Sequence, residues 1–280
     1  MMTDDEIERV AAEVLEAYGL GDTFPVDPFL IAQEEQIELL PGVYDNCFDG
    51  RIEYRRADDV GRFYLFYAEE EPPFRPPGRV RFSVAHELGH FYLPPHREYL
   101  LSGVWHNSHS DADPRAARAR EREANRFASE LLMPRDAFID AVRDQPGRFC
   151  TLKDLRRLAN EVFQTSITST ALRYVQLNCE PCSLIVAEKG SVIWSACSDD
   201  LIRGGFGKLT RGQAVPPQSV TAKAVISSLS SSAPFIDGAV NSSVWLDGKR
   251  QAAMWEEVVL LTTFGRTITL LAPQDHNDDD

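Results

Sequence analysis

The run Arg79-Val-Arg-Phe-Ser-Val-Ala-His-Glu-Leu-Gly-His90 limits the folds open to this chain more than any other stretch. It contains His86-Glu87-Leu88-Gly89-His90, an H-E-x-x-H pattern. Residues four apart on an α-helix lie one turn above each other on the same face. His86 and His90 can therefore aim two imidazole nitrogens at one metal ion. Glu87 is rotated about 100° from His86 and stands beside the metal, where it can hold and deprotonate a water. Two His ligands and a Glu base are the chemistry of a zinc peptidase. The pattern predicts a helix that begins near Pro77 or Gly78 and runs to Leu93, where Pro94-Pro95 stops it.

A catalytic zinc needs a third protein ligand. His96 falls where the last His of an H-E-x-x-H-x-x-G-x-x-H site would lie, but that site turns the chain back with a glycine, and residue 93 here is Leu. His106 and His109 sit in a polar connection over 96–113 and read more simply as solvated side chains. A helix is predicted over 114–132, with Asp113 as N-cap and Pro114 at its first position. It offers Glu121, Glu123 and Glu130. With Ala124 at zero and about 100° per residue, its apolar residues (Ala117, Ala124, Phe127, Ala128, Leu131, Leu132) span about −60° to +80°. Glu121 lies near +60°, inside the stripe, while Glu123 and Glu130 lie near −100° and −120°, at or beyond its edge. A carboxylate inside a buried stripe is costly unless paired or metal-bound. This favours Glu121 over Glu123 as third ligand, with a buried salt bridge as the bland alternative. Asn125, near +100°, can hydrogen-bond a ligand from behind. The small Ala124 lets this helix pack closely on the motif helix.

Around this core the chain reads as α+β. A helix is expected over 4–18, and a short helix capped by Asp27-Pro28 runs to about 35. Strands near 37–40, 51–55 and 62–67 make a small sheet beside the motif helix. A further helix covers about 135–143. Residues 151–177 read as two helices at helix-turn-helix spacing, the first capped by Thr151 with Asp154. From Cys182 the pattern becomes β-rich. Strands 183–187 and 191–195 are joined by a turn, a helix falls near 218–229, and a closing hairpin spans 252–272, with Trp194, Trp245 and Trp255 expected in its core. The expected organisation is a peptidase domain over 1–148, a helix-turn-helix-like linker over 149–178, a β-rich domain over 179–274 and a disordered acidic tail over 275–280.

Composition narrows the function classes. The net charge of −14 argues against direct DNA binding, even with Arg156, Arg157 and Arg173 in the helical pair. No apolar run is long enough to span a membrane. The start, MMTDDEIERV, lacks the basic and apolar regions of a signal peptide, so a cytoplasmic location is expected. Five cysteines do not make a disulfide framework. Cys179-Glu-Pro-Cys182 has no second pair to complete a metal site and reads as a structural coincidence.

Two stretches, Arg81-Phe-Ser-Val-Ala-His-Glu-Leu-Gly-His90 and Glu121-Arg-Glu-Ala-Asn-Arg-Phe-Ala-Ser-Glu-Leu-Leu-Met-Pro134, resemble the ImmA/IrrE family of zinc metallopeptidases. Weaker similarity reaches back to Pro25-Val-Asp27 and Asp49-Gly50 and forward to Leu177. The resemblance implies a zincin-like domain with a gluzincin-like site. His86, His90 and Glu121 match the metal ligands, Glu87 the general base, and Zn2+ the cofactor. It also implies a substrate, a helix-turn-helix repressor whose cleavage derepresses stress-response or mobile-element genes. Some members end in a GAF-like domain, a sensory type compatible with the β-rich tail. The residues leave a rival open, a non-proteolytic regulatory or antitoxin-like protein that acts by binding. The retained Glu87 argues against it, since binding alone needs no base. Tyr92, His96, His106 and His109 are unranked candidates to stabilise an oxyanion.

Overall fold

The computed structural model describes residues 1–44, 49–57, 60–68, 77–103, 114–147, 149–227, 235–261 and 265–274. The chain forms two units. One comprises Met1–Phe138 with Leu158–Ser166, the other Ile139–Arg157 with Ile167–Asp280.

The first unit opens with α1 (Asp4–Ala17), fixed by a capping box between Thr3 and Glu6. Ile7, Ala11, Val14 and Leu15 form its buried stripe. In α2 (Pro28–Glu34), Asp27 accepts from the Phe29 N–H at 3.0 Å, the cap expected from the sequence. Strands β1 (Glu38–Gly42), β2 (Gly50–Ala57) and β3 (Val60–Ala68) form a sheet in the order β1-β3-β2. β1 runs parallel to β3 and β2 antiparallel, so β2 is an edge strand. Ile52 and Leu65 face each other in register, and both are buried.

The motif helix is α3 (Pro77–Tyr92), with Val84, Ala85, Leu88 and Phe91 on its buried side. Instead of entering the expected polar connection, the chain turns at once into another helix, α4 (Pro94–Leu101), with Leu93 at its N-cap. The two prolines stop α3, and their fixed φ suits the first turn of a new helix, where no N–H partner is needed. α4 carries His96 into the interior. Residues 104–113, with His106, His109 and the Asp113 cap, lie outside the described residues. The long helix α5 (Pro114–Leu132) matches its predicted span, and it packs on both α3 and α1. α6 (Arg135–Arg143) comes next, with Phe138 buried.

In the second unit, α7 (Leu152–Arg157) begins with the expected Thr151–Asp154 cap, and α8 (Ile167–Gln176) packs against it. The intervening Leu158–Phe163 is a π-helical turn that belongs to the first unit, where the Phe163 ring stacks on Phe138 at 5.5 Å. Arg173 is buried, Arg156 lies over the Phe235 ring, and Arg157 pairs with Asp154.

Strands β4 (Ser183–Glu188) and β5 (Ser191–Cys197) make the expected hairpin, with Lys189 and Gly190 both at positive φ in the turn. The remaining elements are α9 (Asp199–Arg203), α10 (Val220–Ser227), β6 (Phe235–Asn241), β7 (Ala253–Leu261) and β8 (Arg266–Pro273). The five strands form one antiparallel sheet in the order β5-β4-β8-β7-β6. Of these elements, α9 and β6 have no distinct sequence signal. No helix of the described residues is long and apolar enough to cross a membrane. The acidic tail, 275–280, is outside the described residues.

The expectation that all three tryptophans are core holds for Trp245, which packs with Ile185, Val192 and Leu271. Trp194 is half-buried and Trp255 is exposed. The alternation of β7 points Met254 and Glu256 inward and Trp255 outward. A carboxylate is tolerated at an inward position because Glu256 caps α10. It accepts from Val220 N at 3.0 Å, Thr221 N at 2.8 Å and the Thr221 hydroxyl at 2.7 Å. Replacing Glu256 by Ala orphans two buried N–H groups, so Glu256→Ala is expected to destabilise this unit by about 2–3 kcal/mol. Urea denaturation measures this, and an unchanged midpoint would show the cap to be dispensable.

Candidate metal centre

α3 and α5 meet through their smallest residues. A Cβ added to Gly89 would sit 3.1 Å from Cα and 3.2 Å from the carbonyl oxygen of Ala124. The expected role of Ala124 is therefore met, and Gly89 is its counterpart on the motif helix. The contact brings one face of each helix into a common cleft. From α3, Nε2 of His86 and Nε2 of His90 stand 3.2 Å apart. From α5, Glu121 reaches both, with Oε2 at 3.2 Å from His86 Nε2 and Oε1 at 3.6 Å from His90 Nε2.

One ligand atom from each of the three residues lies within 4.8 Å of the others, and among the described residues this is the one such group. The spacing suits zinc. Two Zn–N bonds of about 2.0–2.1 Å at a tetrahedral angle set the nitrogens about 3.3 Å apart. Two imidazoles and a carboxylate are also a zinc donor set with a position left for water. Burial opposes a charge on His86, but its hydrogen bond to Glu121 and the nearby Glu87 raise its pKa. The same hydrogen bond holds Glu121 below the usual carboxylate range, against some burial. His90 is pushed well down by burial and by the neighbouring His86 and His96, so it is a neutral donor.

Glu87 stands beside this group, as its helical position predicts. Its Oε2 accepts from the Ile52 N–H of β2 at 2.8 Å. Burial raises its pKa to about 7, against the lowering effects of His86 and that backbone bond. β2 can approach so closely because residue 50 is glycine; a Cβ there would lie 3.0 Å from Cγ and Oε1 of Glu87. Asn125 is behind His86, with Oδ1 at 3.0 Å from Nδ1.

Two sequence expectations are revised. The apolar stripe predicts a buried Glu121, yet its side chain is 55% exposed and leans over the mouth of the cleft. Glu123 and Glu130, expected at or beyond the stripe's edge, are the buried ones, at 8% and 2%. The stripe reflects only one covered face of α5, whereas α1 covers a second. Of the oxyanion candidates, Tyr92 directs its hydroxyl to Glu35 at 2.8 Å and Tyr18 at 3.3 Å, and His96 lies behind His90. His106 and His109 are outside the described residues. The C-x-x-C cysteines carry no disulfide, and burial holds the Cys182 thiol well above its ordinary pKa. Sequence reasoning missed Gly89, Gly50 and Ile52. Only the Asp49-Gly50 similarity hints at any of them.

A His-Glu-His helix facing a carboxylate-bearing helix thus gathers a group that could hold a metal ion. Residues 65–160 match the model of the IrrE N-terminal-like domain, peptidase family M78. The match to residues 65–160 supports an ImmA/IrrE-type domain there, a family that implies a metallopeptidase-type role. No curated protein sequence matches the chain. A solved structure of a Mycobacterium tuberculosis transcriptional regulator shares the fold. It has a TM-score of 0.56 and 18% identity, and the match covers 96% of this chain and 76% of that one.

Since the added methyl of Gly89→Ala would press on the backbone of Ala124, the two helices must separate. This substitution is expected to cost about 1–3 kcal/mol. Thermal denaturation measures it, and a wild-type midpoint would show that the crossing has slack.

Proposed function

We propose that the protein is a zinc-dependent endopeptidase with a helix-turn-helix transcriptional repressor as its substrate. The observation that carries the peptidase reading is the placement of Glu87 beside the His86–His90–Glu121 group, buried and held by the Ile52 N–H. A site that only held a metal would need no buried carboxylate beside it to take a proton. His86, His90 and Glu121 are the metal ligands in this reading, and Asn125 orients His86.

Zinc in this site would lower the pKa of a water and polarise the scissile carbonyl. Glu87 takes the proton from the attacking water on one of its oxygens. Its hydrogen bond from Ile52 holds the carboxylate in place during that transfer. The protonated Glu87 then delivers the proton to the amine leaving group, as one group serving as base and then acid. The repressor as substrate rests on the family domain and agrees with a fold shared with a transcriptional regulator.

The test is co-expression with a helix-turn-helix repressor encoded beside this protein, scored for cleavage that a chelator abolishes. Glu87→Gln is expected to retain zinc and to lower the cleavage rate by about 10²–10⁴-fold. If Glu87→Gln cuts at the wild-type rate, the proposed mechanism is wrong. His86→Ala and Glu121→Ala should each lose stoichiometric zinc, as read by elemental analysis after gel filtration. Full zinc retention by Glu121→Ala would assign the third ligand elsewhere.

A further inference from the structure

Behind the metal centre lies a second set of buried polar groups that the proposed mechanism does not use. His90 offers Nε2 to the ligand cluster, and its Nδ1 lies 3.1 Å from Nδ1 of His96. Nε2 of His96 lies 2.8 Å from Oε2 of Glu123. Oε1 of Glu123 in turn accepts from the backbone N–H of Met2 at 3.1 Å. His96 is 0% exposed and His90 1%. Three elements build this line, since His90 is on α3, His96 on α4 and Glu123 on α5.

The placement of hydrogens is set by donor and acceptor capacity. An ionised carboxylate can only accept, so Nε2 of His96 carries the hydrogen toward Glu123. A neutral imidazole has one N–H, which leaves Nδ1 of His96 bare. Nδ1 of His90 must then be the donor between the two rings, and its lone pair is left on Nε2, the atom that faces His86 and Glu121. A doubly protonated His96 would reverse the direction and put a hydrogen on Nε2 of His90. Burial away from water disfavours that charge. His86 is arranged likewise, with Nδ1 against the acceptor Oδ1 of Asn125.

We propose that His96 and Glu123 form a positioning relay that holds His90 as the Nδ1–H tautomer, with its Nε2 lone pair aimed at the metal. The relay rests on reading His86, His90 and Glu121 as the zinc site. Metal-ligating histidines are commonly oriented by a carboxylate or carbonyl on the far nitrogen; here a second histidine extends the reach of the carboxylate. In this account α4 has a definite job. The prolines end α3 and restart a helix so that His96 returns under His90.

The test uses the full chain and needs no substrate. Long-range 1H–15N spectra of the metal-free, histidine-labelled protein report which nitrogen of His90 is protonated, and Nδ1 is expected. Zinc affinity is measured by competition with a chromophoric chelator. Glu123→Gln and His96→Phe are expected to weaken it about 10–100-fold. His96→Gln, whose amide can accept from His90 and donate to Glu123, should stay within about threefold of wild type. A merely structural pair would not produce that split. An Nε2–H His90 in the wild type overturns the relay even if the variants fail to fold. Wild-type zinc affinity in both disruptive variants also overturns it. If the wild type binds no zinc at all, the metal-centre reading fails, while the tautomer measurement still decides whether the relay sets the His90 proton.

Discussion

The close approach of two helix backbones at Gly89 and Ala124 is the contact on which the rest of the centre depends. Neither side chain does chemistry. Their smallness lets α3 and α5 come near enough for His86 and His90 to share a space with Glu121, and for Asn125 to reach His86. Larger residues at the crossing would hold the imidazoles and the carboxylate too far apart for one ion. The interaction is steric, and its consequence is electrostatic. His86, His90, Glu121 and Glu87 are concentrated where burial and mutual contact shift the proton affinity of each.

A second constraint acts from the sheet. The edge strand β2 lies against Glu87, with Gly50 leaving room for its side chain and Ile52 donating a backbone hydrogen. A main-chain donor is well suited to this role because it is held by the register of β2 on β3 and has no rotamer to lose. Burial raises the pKa of Glu87, and the Ile52 bond limits the rise. The proton affinity of Glu87 is thus set by burial on one side and by His86 and the Ile52 hydrogen bond on the other.

Much of the scaffold is legible locally. The 3.6-residue periodicity of α1, the Asp27 and Thr151 caps, and the prolines that open α2 and α5 act within one or two turns of chain. The site is legible to the extent that it is helical, since i and i+4 on one helix face are a matter of geometry alone. The same periodicity reaches Glu121, although burial in an apolar stripe is only part of the reason for its position. A stripe implies one covered face, and α5 has two. Glu123 looks peripheral in the sequence because its partners, the Met2 backbone and His96, lie on other segments of the chain. His96 looks exposed because the prolines before it read as a stop, when they are also a start.

The sequence by itself determined the motif helix, the spacing of His86, Glu87 and His90, and the candidate third ligand, since these come from backbone periodicity and residue chemistry. Only the tertiary structure decided which carboxylate of α5 stands with His86 and His90 and which lies behind them. It alone brought Gly50 and Ile52 to Glu87 and His96 beneath His90. Those outcomes depend on contacts between residues far apart in the chain, where packing and burial choose among arrangements that local propensity leaves equal.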